Sequence, residues 1–323
     1  MSDRTCLIVM YHYVRDTTAT SFPDIRALPP QLLAQQLDWL QQHYTVIDQA
    51  ALEAAACGHA PLPPDAALLT FDDGLVDHYR TVFPLLRARG LRGTFFIAED
   101  ACAPAPRLLA VHKVHFLLAY LGAEAFGRAV LRACEAIGLP RTGSREVLGR
   151  DHWDDGGVRA IKHLVSYELP FDAADRILDD LFAGHIGDAA AFARELYLAP
   201  AMIREMAAAG MAFGHHTRTH RMLARLTAAE QDAELRGGVA WIRGMTGQET
   251  VSFCYPWGGP QTYTRDTLRI LRESGYSVAF NTVRRRMQPE DQRYELPRID
   301  TRDLPPYTAS EPAPAPAFSA EEA

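Results

Sequence analysis

What most constrains the fold is a rhythm: short continuous apolar runs alternate with helically spaced stretches, and each run stops abruptly at polar side chains. Cys6–Tyr11 is such a run. It shows no apolar-polar alternation, which marks a strand buried on both faces. It ends at Tyr11-His12-Tyr13. Pro30–His43 carries Leu33, Leu37 and Leu40 at helical spacing, with a proline where a first turn tolerates one. Residues 49–57 read as a second short helix, stopped by Gly58 and by Pro61, Pro63 and Pro64. Ala66–Phe71 is the next strand and runs into Asp72-Asp73-Gly74. Residues 77–89 then read as a helix closed by Gly90, and residues 93–98 as a third strand. The order β-α-β-α-β predicts a parallel sheet or barrel.

Residues 101–200 break the rhythm. They offer helices over 108–121, 126–137, 158–165 and 172–181 and no convincing strand, which predicts a helical insertion acting as a lid or groove wall. Residues 153–157 read as a loop. The alternation resumes with a helix over 201–209, a strand over 211–214, and a helix over 228–245 whose Thr227 and Glu230 form a capping-box pattern. Strands over 250–255, 277–281 and 294–299 follow, with a helix over 264–273 between the first two. The reading is one domain over 1–303 and a disordered Pro/Ala/Glu-rich tail over 304–323.

Composition narrows the partners. The chain has 33 basic against 40 acidic residues, a net charge of -7, and no basic run, which argues against a nucleic-acid partner. Five scattered cysteines without a CxxC pair argue against a disulfide framework or a cysteine zinc site. No run approaches a membrane span, and the six apolar residues near the N-terminus are too few for a signal-peptide core, so the expected location is cytoplasmic. Nothing here bears on oligomeric state.

Chemistry-bearing residues cluster at three predicted strand ends, where parallel α/β folds build their sites: Asp72-Asp73, His215 to His220, and Tyr255-Pro256-Trp257. Adjacent carboxylates repel unless a cation or a proton gives them different fates. His216 and His220 are four residues apart, so one helical turn would offer both imidazoles to one ion. With Asp73 they make a two-His, one-Asp set that leaves a position open for water, a set suited to zinc, with iron, cobalt or nickel as alternatives. The plain alternatives are a helix cap beside a solvated aspartate and a polar surface turn. His215, pointing away from its neighbour, is assigned a structural role. His112 and His115, three apart on a probable helix, are read as a packed or solvated face rather than a second metal site.

The ordered motifs Thr-Phe-Asp-Asp-Gly (70–74), His-Thr-Arg-Thr-His (216–220) and Phe-Cys-Tyr-Pro-Trp-Gly (253–258) resemble those of the polysaccharide deacetylases of the NodB-homology type, carbohydrate esterase family 4. The resemblance runs from about residue 5 to 300 and is weakest in the helical insertion. It implies a distorted (β/α) barrel, Asp72 as catalytic base, and Asp73, His216 and His220 as metal ligands. It also implies the Tyr255 backbone N–H as oxyanion donor. The chain departs from the family pattern twice. Cys254 stands where an arginine often braces the base, and Arg298 is the candidate replacement, with a surface salt bridge as the alternative. No histidine follows His220, so His12 is the candidate general acid. Trp257, with Pro256, either meets a sugar ring or fills the core.

The expected function is metal-dependent hydrolysis of a non-peptide C–N bond, N-deacetylation of an acetylated amino sugar in a glycan or glycan precursor. Two alternatives stand beside it: the same site acting on another amide or cyclic imide, and a non-catalytic carbohydrate-binding scaffold.

Overall fold

The computed structural model describes residues 5–18, 20–139 and 156–308. Eight strands form one all-parallel sheet: β1 (Cys6–Tyr11), β2 (Thr45–Val46), β3 (Ala66–Phe71), β4 (Thr94–Ile97), β5 (Ala212–His215), β6 (Phe253–Cys254), β7 (Ala279–Phe280) and β8 (Ile299–Asp300). The order across the sheet is β7-β6-β5-β4-β3-β1-β8, with β2 on the start of β3. Residue Leu296 pairs in parallel with Phe280, and Ile299 then pairs with Val9, so the last segment spans the gap between the two edges. The result is an open, distorted barrel whose strands all point one way.

The continuous apolar runs are explained by two cores. Cys6 and Ile8 of β1, Ala66 and Leu68 of β3, Phe96 of β4 and Phe280 of β7 fill one side of the sheet. Leu7, Val9 and Tyr11, with Ala67, Leu69 and Phe71, face the other side, where helices cover them. Alternate residues thus serve opposite faces, and neither face is wet. Each fully buried Leu or Phe contributes roughly 1.5–3 kcal/mol relative to exposure.

Thirteen α-helices are present among the described residues. Helices α1 (Pro30–His43), α2 (Gln49–Ala56) and α3 (Phe83–Ala88) connect the first four strands. Between β4 and β5 stand α4 (Glu99–Cys102), α5 (Ala110–Leu121), α6 (Ala123–Ala136), α7 (Gly156–His163), α8 (Phe171–His185), α9 (Ala189–Leu196) and α10 (Pro200–Ala208). The insertion has its own aromatic centre: Phe116 and Phe192 rings lie 4.7 Å apart, and Phe182 and Phe192 rings 5.2 Å apart. The loop expected over 153–157 lies outside the described residues for 153–155, and Gly156 and Gly157 begin α7.

Several boundaries differ from expectation for physical reasons. Residues 228–245 form two helices, α11 (Ala228–Leu235) and α12 (Gly238–Thr246), with α13 (Arg265–Glu273) following. The chain turns at residues 236–237, and Gly238 has no room for a side chain, since a Cβ there would lie 2.3 Å from both His215 Nδ1 and the Tyr276 hydroxyl. The predicted capping box of Thr227 and Glu230 is present. The last three strands are two residues long, since loops rather than ladders carry most of 250–299. Leu304, where a disordered tail was expected to start, is buried, and residues 309–323 of that expected tail lie outside the described residues. No helix among the described residues is long and apolar enough to cross a membrane.

One buried histidine ties the barrel to its first loop. A π-helical turn, His78–Val82, places His78 against Phe71 and Phe95 and sends its Nε2 to the His12 carbonyl at 3.1 Å. Because a carbonyl only accepts, Nε2 carries the proton and the imidazole is neutral. Burial lowers its pKa to about 4 from 6.5. A histidine harder to protonate when folded contributes stability that is full above about pH 6.5 and is lost progressively towards pH 4, roughly 3 kcal/mol in all. Urea titrations of wild type and His78→Gln across this window are expected to show a flatter pH dependence in the variant. Equal slopes would contradict the assignment.

Candidate metal centre and catalytic site

Parallel strands deliver their C-terminal ends to one rim, and β1, β3, β5, β6 and β8 each bring a polar group there. Asp72 and Asp73 leave β3 through a tight turn. Asp73 has φ 77° and Gly74 φ 63°. Aspartate tolerates this left-handed region better than most residues. Glycine is needed at 74, where a Cβ would meet Cys102 Sγ at 2.5 Å. The turn sends the two carboxylates to different neighbours.

Asp72 meets Arg298. The guanidinium, fully buried, donates from Nη1 to Oδ1 at 2.8 Å and from Nη2 to Oδ2 at 2.7 Å. It also donates to Thr70 Oγ1 at 3.0 Å and to the Asn281 carbonyl at 3.1 Å. Cys254 lies beneath this fork, its Sγ 2.9 Å from Nη2 and 3.5 Å from Asp72 Oδ2. Burial alone would raise the Asp72 pKa, but the guanidinium overrides it and holds the carboxyl at about 2. The structure therefore puts an arginine from the last strand on this aspartate, with the thiol of Cys254 alongside, and no surface salt bridge is involved.

Asp73 meets three imidazoles. Its Oδ1 lies 3.4 Å from His216 Nε2 and 3.2 Å from His220 Nε2, and its Oδ2 lies 3.1 Å from His112 Nε2. Burial opposes ionisation here too, and the hydrogen bond of His112 with the neighbouring imidazoles brings the carboxyl well below the usual range. The helical turn expected over 216–220 is replaced by a looped one. Thr217 has φ 63° and His220 φ 61°, and Thr217 Oγ1 accepts from the His220 N–H at 2.9 Å. The two rings still converge, with centroids 4.8 Å apart. Glu234 of α11 holds the loop by accepting from the Arg218 and Thr219 N–H groups at 3.1 and 2.8 Å.

This cluster fits a cation. His216 Nδ1 lies 2.7 Å from the Cys254 carbonyl, which only accepts, so Nδ1 carries a proton and Nε2 is the nitrogen left to face an ion. Asp73 Oδ1 is buried without a hydrogen-bond partner. Ligand atoms of Asp73, His216 and His220 lie within 4.8 Å of one another. Edges of 3.2 and 3.4 Å match a tetrahedral set with metal–ligand bonds of about 2.0–2.2 Å, whose edges are about 3.4 Å.

The remaining expected residues fall as follows. His12 stands at the rim, its side chain 39% exposed and its Nε2 3.9 Å from Asp72 Oδ2. His215 points behind the sheet, with Nδ1 2.6 Å from the Tyr276 hydroxyl. The Tyr255 N–H is not free to hold an oxyanion, because it donates to the Phe280 carbonyl at 3.1 Å as part of the ladder. Its ring stacks on Tyr263 at 4.0 Å. Pro256 is buried, so it offers no surface to a ligand. Trp257, at φ 68°, is partly exposed, 6.2 Å from the His220 ring and 6.2 Å from Tyr167 of the insertion. A groove beside the cluster is lined by His220 and Trp257 together with Lys113 of α5 and Phe171, Asp175 and Asp179 of α8. His112 and Glu234 were missed as site residues. The only available signal for His112 was its spacing from His115, which fits a packed helix face equally well.

Fold and site together define a (β/α)-barrel protein with an Asp-His-His cluster and a separately braced aspartate at the barrel rim. The polysaccharide deacetylase family model matches residues 59–111 and 174–279, and through these stretches the chain belongs to that family. A poly-beta-1,6-N-acetyl-D-glucosamine N-deacetylase of Escherichia coli (strain K12) is 37% identical over 82 residues, 25% of this chain but only 12% of that relative's length. Among solved structures, the fold is similar to the deacetylase PplD of Streptococcus pyogenes (TM-score 0.57, 16% identity, 93% of each chain). It is also similar to the BpsB deacetylase domain of Bordetella bronchiseptica (TM-score 0.55, 19% identity, 93% of this chain and 97% of that one).

Removing Arg298 leaves a buried carboxylate without its counter-charge. Arg298→Met is expected to lower the unfolding free energy by about 3–5 kcal/mol in urea titrations. A loss below about 1 kcal/mol would show that the pair does not hold the rim together.

Proposed function

We propose that the chain is a metal-dependent hydrolase that removes the acetyl group from an N-acetylated amino sugar in a glycan or glycan precursor. The observation that carries this reading is the division of labour at the rim: Asp73, His216 and His220 converge, while Asp72, next in sequence, is clamped by Arg298. The relative's printed activity supports an N-acetylglucosamine polymer as the substrate class.

Asp73, His216 and His220 would hold a divalent ion, zinc by preference with iron, cobalt or nickel as alternatives, and when bound it would supply Lewis acidity and lower the pKa of water. Asp72 takes the proton from the water that attacks the amide carbonyl. Arg298 keeps Asp72 ionised and fixes both of its oxygens by a bidentate fork. The C–N bond then breaks, and the leaving nitrogen needs a proton. His12, partly exposed and 3.9 Å from Asp72 Oδ2, is the group that gives it. With the Tyr255 N–H engaged and Pro256 lacking one, the next backbone donor along this loop is Trp257, which takes the oxyanion role expected of Tyr255. The Trp257 ring and the insertion wall receive the sugar. The products are acetate and a free amino sugar.

The test is acetate release from N-acetylglucosamine oligomers, alongside metal analysis of the purified protein. Asp73→Ala is expected to lose both metal and turnover. Asp72→Asn is expected to keep the metal while kcat falls by about 10²–10⁴-fold. An active Asp72→Asn protein would rule out this mechanism, and metal-free wild type with no acetate release would favour a binding scaffold.

A further inference from the structure

The helical insertion does more than line a groove. His112 of α5 is fully buried, and both of its ring nitrogens are engaged. The carboxylate Asp73 Oδ2 can only accept, so His112 Nε2 carries the proton that bridges the 3.1 Å between them. On the other side, His112 Nδ1 lies 2.6 Å from the Tyr197 hydroxyl. That hydroxyl oxygen already accepts from the Leu109 N–H at 3.0 Å. One polar chain thus runs from the Leu109 N–H through the Tyr197 hydroxyl and the His112 ring to Asp73.

The backbone reinforces the same connection. Tyr197, buried at the end of α9, bridges to Leu75, and the Leu198 N–H donates to the Gly74 carbonyl at 2.8 Å. The insertion therefore grips the Asp73-Gly74 turn by main chain and Asp73 itself by side chain. A non-glycine residue in the left-handed region persists where the surrounding structure holds it there, and the insertion is part of what holds Asp73. Binding Oδ2 from one side leaves Oδ1 facing His216 and His220.

We propose that His112 is a positioning residue of the metal centre, which orients Asp73 through its second oxygen, and that Tyr197 fixes the His112 tautomer for this task. The proposal rests on the reading of Asp73, His216 and His220 as metal ligands. Partners of this kind, which orient a ligand without touching the metal, typically change affinity 10–100-fold when removed.

The experiment measures affinity of the metal-free full-length protein for Zn2+ by competition with a chromophoric chelator, and records the visible absorption of the Co2+-loaded form. His112→Ala is expected to bind Zn2+ 10–100-fold more weakly with an altered Co2+ spectrum. His112→Gln, which can still offer an N–H to Asp73, is expected to recover most of the affinity. Tyr197→Phe, which removes one oxygen and preserves packing, is expected to fall between wild type and His112→Ala, and it decides the matter if His112→Ala fails to fold. Thermal melting of the metal-free proteins separates a loss of metal affinity from a loss of fold. Zn2+ affinity within 2-fold of wild type in the folded variants overturns the proposal while leaving the ligand set intact. Wild type without measurable Zn2+ or Co2+ binding overturns the ligand set itself, and the proposal with it.

Discussion

The rim depends on a turn that makes neighbours into strangers. Two adjacent carboxylates in a buried setting repel, and a regular backbone would leave them sharing one environment. The left-handed residues Asp73 and Gly74 break that symmetry within a single peptide unit. Asp72 goes to a guanidinium, and Asp73 goes to imidazoles. Each charge is compensated by a different kind of partner, so both stay ionised at a site that water scarcely reaches. The parallel sheet supplies the platform, because only strands of one direction bring the ends of β3, β5, β6 and β8 to the same rim.

Much of this was legible in the sequence, and the legible parts share a physical cause. Cys6–Tyr11 and Ala66–Phe71 read as strands because both faces are buried, which removes polar residues from every position. Asp72, Asp73, His216 and His220 stood out because such residues are poor packing choices immediately after a buried strand. The alternation of strands and helices gave a parallel sheet or barrel, and the family resemblance narrowed it to a distorted (β/α) barrel. The turn at 216–220 was harder. Four-residue spacing suggests a helix, but a threonine hydroxyl capping a left-handed turn reaches the same convergence.

Other features depend on information that local patterns do not carry. The requirement for glycine at 238 comes from His215 and Tyr276, and neither contact is visible from the helix itself. The engaged Tyr255 N–H depends on register with Phe280, which a six-residue motif cannot reveal. His112 depends on which face of α5 the insertion turns toward the barrel. Arg298 was inferable only from the vacancy left by Cys254, a small residue that leaves room beneath the fork for a guanidinium arriving from elsewhere.

That arrival has a consequence for how the molecule is made. Asp72 and Arg298 are separated by 226 positions, and the arginine comes with the segment that spans the gap between the sheet edges. Closing so long a loop is slow compared with forming local contacts. During synthesis the Asp-His-His residues emerge well before the guanidinium that pairs with Asp72. A nascent chain can thus gather that cluster early, while the aspartate beside it stays unclamped until the strand after Arg298 docks. The site is complete only once that strand has docked.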